Sequence, residues 1–154
     1  YVTSNSQSSS LLGLKDHATH YPKVVVTDSY KVTTLRIDEI WGYESYYLAN
    51  LDVQGAELEV LIGMGRLVEK LELIYAEVNY EELYEGCAQV SDIDSWLREK
   101  GFSRIVTKWT RNGWGDAIYA RDGRRFRRSL AVFLFRATEY LETKRKEFRF
   151  RKSN

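Results

Sequence analysis

With 154 residues, 44% hydrophobic and 29% charged, the chain has room for one domain around a single core. No apolar run approaches the length of a membrane span, so a soluble, cytoplasmic protein is expected. Cys87 is the only cysteine, which excludes an internal disulfide and leaves no cysteine-based zinc site.

The chain starts at Tyr1 in the Ser-rich stretch YVTSNSQSSSLLGL, which reads as the interior of a domain and suggests a fragment of a longer protein. Ser8, Ser9 and Ser10 suit a loop or a helix cap. In KDHATHYP, His17 and His20 would share one face of a helix that ends before Pro22. A metal pair needs a third ligand, and none stands nearby in sequence, so solvent-facing histidines and no metal site are expected. Val24–Val26 and Lys31–Leu35 are β-prone, with Asp28-Ser29 between them as turn formers. Asp38, in RIDEIW, is read as structural, a helix cap or a rim position.

Residues 46–68, YYLANLDVQGAELEVLIGMGRLV, organise the rest. Tyr47, Leu48, Leu51 and Val53 predict a strand covered on both faces. Asp52 stands near its end, Gly55 breaks the pattern, and Leu58, Val60, Leu61 and Leu67 then recur at helical spacing. In an open α/β sheet, ligands bind outside the carboxyl ends of the strands, which makes Asp52 a candidate for chemistry. The plainer role for this turn is structural. Asp52 would accept turn hydrogen bonds, Gly55 supply backbone freedom, and Glu57 offset the helix N-terminus.

LELIYAEV, residues 71–78, predicts a second buried strand parallel to the first, with Glu77 and Asn79 at the same sheet edge as Asp52. Cys87 lacks a base beside it and reads as a small buried residue. Ser91 is expected to cap the helix SDIDSWLREKGF, with Ile93, Trp96 and Leu97 on its buried face and Lys100-Gly101 closing it. Phe102–Trp109 and Gly115–Arg121 then predict a hairpin around Asn112-Gly113. Asp116 could face substrate or help to shape that turn, and shaping the turn is the expected role.

The net charge of +1 hides a split: residues 121–154 hold twelve Lys/Arg against four Asp/Glu, residues 1–120 eleven against eighteen. Leu130, Phe133, Leu134, Leu141 and Phe148 give the extension 122–154 the stripe of an amphipathic helix with basic ends. Packing against the body is its ordinary role; residues 124–154 are otherwise a candidate contact for a polyanion.

LDVQGAELEVL resembles the signature of FkbM-type methyltransferases, where it forms the fourth strand and following helix of a Rossmann-like fold. NSQSSSLL, RIDEIW, AEVN…LYEGCA and GWGDAIYAR are similar to further segments of that family, so the resemblance spans residues 1–121 and stops there. It implies a class I, Rossmann-like methyltransferase domain over residues 1–121, incomplete at its N-terminal side. The implied activity is methyl transfer from S-adenosylmethionine to a hydroxyl, expected on a sugar of a glycan or glycosylated metabolite. Asp52 becomes the candidate catalytic base, Gln54, Glu77 and Asn79 candidate acceptor contacts, and Ser9, Ser10 and Gly55 candidate cofactor contacts. Glu57 braces the turn. The family's glycine-rich loop after a first strand, and its ribose-binding carboxylate, have no counterpart here, so weak cofactor binding by this chain alone is expected. The alternative is a non-catalytic binding or scaffold domain that uses the basic extension.

Overall fold

The computed structural model describes residues 1–40 and 46–123, together with Ser129. The expected helical extension therefore lies outside the described residues. The body is mixed α/β. A small antiparallel pair, β1 (Val2–Thr3) and β2 (Val26–Asp28), stands beside a four-stranded sheet. That sheet contains β3 (Leu48–Leu51), β4 (Leu73–Asn79), β5 (Phe102–Trp109) and β6 (Trp114–Arg121), in the order β3-β4-β6-β5. β3 and β4 run parallel, as the sequence predicts, with Leu48 opposite Leu73 and Leu51 opposite Ala76. The other pairings are antiparallel, and β5–β6 is the expected hairpin.

One sheet face carries the core. Ile74, Ala76 and Val78 of β4 alternate inward and meet Leu61 of α3 (Glu57–Gly63). Ile93 and Leu97 of α4 (Val90–Glu99) pack into the same cluster, with Ala117 and Tyr119 of β6. On the opposite face, Ile118 gathers a smaller group with Leu73, Tyr75, Ile105 and Val106.

Several elements differ from their sequence reading. β3 is buried on one face only: Ala49 and Leu51 are buried while Leu48 is 56% exposed, because among the described residues the core packs against that face alone. No strand forms over Lys31–Leu35; Val26–Asp28 pairs with β1 instead, and Val32 and Leu35 stay exposed. The helix after Gly55 stops at Gly63. Gly65 takes φ +50° and starts a 3-10 turn, Gly65–Lys70. A Cβ at Gly65 would lie 2.0 Å from the Asp38 carboxylate, which comes from α2 (Ile37–Ile40), a helix as short as α1 (His17–His20). α4 is capped by Gln89 rather than Ser91, through a reciprocal box in which the Gln89 amide donates to Asp92 at 2.9 Å. Ser91 lies inside the helix. Asp116 stands in β6 opposite Glu77, three residues beyond the Asn112-Gly113 turn it was expected to shape.

Candidate functional site

The parallel pairing of β3 with β4 decides which side chains meet. One step past the Leu51–Ala76 pair, Asp52 follows the carboxyl end of β3 and Glu77 stands beside it, two residues before the end of β4. Glu77 is in register with Asp116, and Asp116 with Lys108. The result is a row of three carboxylates across neighbouring strands. Asp52 is exposed and Glu77 half-buried. Glu77 is pushed up to about 8, first by burial and then by the charges of Glu57, Asp52 and Asp116.

Gln54 and Gly55 turn β3 into α3. Gly55 has φ +100°, and a Cβ there would meet the Tyr84 ring at 2.9 Å. Gln54 also has positive φ, +53°, and is the only non-glycine residue so placed among the described residues. Glu57 reaches back from the start of α3. Its carboxylate accepts from the amides of Val53 (3.1 Å) and Gly55 (3.1 Å), which closes the turn. Burial raises its pKa against the pull of these donors.

The Gln54 side chain joins this turn to its neighbours. Nε2 donates to Asp52 Oδ1 at 2.7 Å. Oε1 accepts from the Tyr84 hydroxyl at 2.5 Å. The Ser10 hydroxyl donates to the Gln54 carbonyl at 2.6 Å and fastens the N-terminal loop to the turn.

These groups border an open cleft of about 1440 Å³. Of the residues singled out from sequence, Asp52, Gln54, Glu77, Ser9 and Ser10 line it. Both serine hydroxyls have partners within the chain: Ser9 accepts from the Thr3 amide at 3.1 Å, and Ser10 also accepts from the Leu12 amide at 3.0 Å. Gly55 and Glu57 lie behind the lining, in the turn itself. Asn79 is fully buried and does not border the cleft.

Sequence reading missed the aromatic wall. Tyr84, Trp114, Tyr21 and His17 border the same space. The Tyr21 hydroxyl accepts from Asn112 Nδ2 at 2.8 Å and Trp114 Nε1 at 3.0 Å, which ties the hairpin turn to the N-terminal segment. His17 is 5% exposed, contrary to the solvent-facing expectation, because its ring packs between Tyr21 and Tyr84. It pairs with the Ser8 hydroxyl, whereas His20 pairs with Glu81, so the two histidines do not converge. Burial lowers the His17 pKa. Cys87 is buried as expected, and burial raises its thiol. Tyr84 was legible only as a member of LYEGCA; its partner stands thirty residues earlier. Chemically, the cleft offers two adjacent carboxylates beside aromatic rings. That set can hold a hydroxyl-bearing ligand and accept its proton.

A family model described as "Methyltransferase FkbM domain" matches residues 2–104. The chain is 39% identical over 115 residues to the 2-O-methyltransferase NoeI of Sinorhizobium fredii, over 72% of this chain and 46% of that protein. It thus spans about half the length of the curated relative it matches. No solved structure matches.

Proposed function

Because the chain belongs to the FkbM methyltransferase family, we propose that its cleft is the acceptor side of an S-adenosylmethionine-dependent O-methyltransferase acting on a sugar hydroxyl. The observation that carries this reading is the meeting of Asp52 and Glu77 toward the carboxyl ends of two parallel strands, where α/β sheets bind ligands. The name of the Sinorhizobium relative supports an oxygen acceptor, and the resemblance to the family supports a sugar. In this reading β3, α3 and β4 belong to a Rossmann-like sheet, and Asp52, the more exposed carboxylate, orients the acceptor hydroxyl or takes its proton.

S-adenosylmethionine is the usual methyl donor of methyltransferases. The described residues do not fit the whole of that molecule. Gly55 and Gly86 stand singly between a strand and a helix, and the space a Cβ would take at Gly55 is filled by Tyr84. The role assigned to the cleft is therefore confined to the acceptor: holding its hydroxyl, excluding alternative poses, and accepting a proton.

Asp52→Asn tests it, in a form of the protein that carries a complete cofactor site. The substitution keeps volume and hydrogen-bonding reach but removes charge and basicity. Methyl transfer to a glycan acceptor falls by roughly two to four orders of magnitude if Asp52 acts on the hydroxyl, with little change in melting temperature. A fully active, stable variant would remove Asp52 from the mechanism.

A further inference from the structure

We propose that Tyr84 is a positioning residue for Asp52, acting through the Gln54 side chain to decide which carboxylate oxygen faces the acceptor. Its catalytic meaning rests on the acceptor-side reading above; the two hydrogen bonds themselves do not.

The direction of each bond follows from the groups that make it. Asp52 Oδ1 lies 2.7 Å from Gln54 Nε2, and an ionised carboxylate only accepts, so the amide nitrogen is the end that faces it. Gln54 Oε1 is then left for the Tyr84 hydroxyl at 2.5 Å, and an amide oxygen only accepts, so the tyrosine donates. Turning the amide over would set its oxygen against the carboxylate. The link therefore runs one way, from Tyr84 to Gln54 to Asp52. It occupies Oδ1, while Oδ2 has no partner among the described residues. Asp52 is exposed on the cleft, so Oδ2 is the oxygen available to a ligand hydroxyl.

The donor end is firmly placed. Tyr84 is 1% exposed and belongs to a buried group with Leu83 and Cys87. Its ring fills the space a Cβ would take at Gly55, and the His17 ring packs 5.5 Å away. Its backbone bridges to Leu14, and its carbonyl accepts from the Cys87 amide at 3.1 Å. Gln54, by contrast, is half-buried on a turn and keeps a side chain at φ +53°, where glycine would be at ease. A long side chain so placed keeps one rotamer only if its far end is held. Phenylalanine would pack at position 84 as well as tyrosine does, so packing does not account for the hydroxyl.

Tyr84→Phe is the test, since it keeps the ring and removes the donor. In the 15N-labelled chain, the heteronuclear NOE of the Gln54 side-chain amide reads the link without methyl donor or acceptor. It should fall in Tyr84→Phe toward that of the exposed Gln7, with backbone amide spectra verifying the fold. An unchanged value would overturn the link. Turnover is then compared among Tyr84→Phe, Asp52→Ala and the double variant, in a form that carries a complete cofactor site. Tyr84→Phe should lower kcat by roughly threefold to tenfold, as loss of one hydrogen bond does, and add nothing once Asp52 is alanine. An equal loss in both backgrounds would overturn positioning through Asp52 and leave the acceptor-side reading standing. A fully active Asp52→Ala would remove that reading, and the positioning with it, whatever the amide shows.

Discussion

Glu77 holds a proton in the folded chain that the unfolded chain releases near the ordinary value of 4.5, because burial and three neighbouring carboxylates push it up to about 8. Folding therefore takes up a proton between those values. The favourable contribution is fully present below about 4.5 and is lost as pH rises through about 8. Glu77→Gln, neutral at every pH, should flatten the fall in melting temperature between pH 5 and pH 8. An identical slope in wild type and variant would place the proton uptake elsewhere. At this scale the sequence was half legible. Asp52, Gly55 and Glu57 announce a turn between strand and helix by their types and spacing. The environment of Glu77 is invisible there, because Asp116 joins it through a β-ladder thirty-nine positions away in the chain. Tyr84 is equally hidden: its hydroxyl reaches Gln54 across the loop after β4, and no local pattern encodes that return.

Among the elements, α4 and the β5–β6 hairpin were legible because local chemistry determines them. Ile93 and Leu97 repeat at helical spacing, Gly101 closes the helix with φ +78°, and Asn112-Gly113 sets the turn. The start of α4 was misread by two residues. Ser91 is a good cap by type, yet the box formed by Gln89 and Asp92 satisfies two amides at once. Asp92→Ala removes one half of that box and should cost about 1 kcal/mol in urea unfolding. A loss within error would mean that packing of Ile93 and Leu97 alone fixes the helix start. α3 was read as too long for a different reason. Its apolar spacing continues to Leu67, but the Asp38 carboxylate, bonded to Arg36 at 2.8 Å, lies where a side chain at position 65 would go. β-propensity over Lys31–Leu35 misled similarly, since a strand needs a partner and β1 pairs with Val26–Asp28.

For the whole molecule, the sheet order puts β4 between a parallel and an antiparallel neighbour and, among the described residues, leaves β3 at a margin. Sequence could place β3 beside β4 through the helix between them. It could not show that Tyr47 and Leu48 would face outward, because exposure depends on what covers the strand. The margin has a dynamic consequence for the site. Asp52 extends from a four-residue strand secured, among the described residues, along one side, whereas Glu77 extends from the interior strand of the same sheet. Fraying should therefore begin at β3, and amides of Leu48–Leu51 should exchange with deuterium faster than those of Ile74–Val78. A ligand hydroxyl engaging both carboxylates would bridge the loosely held strand to the firm one. Acceptor binding should then appear as slowed exchange along β3; equal exchange with and without acceptor would mean that the two carboxylates are not bridged.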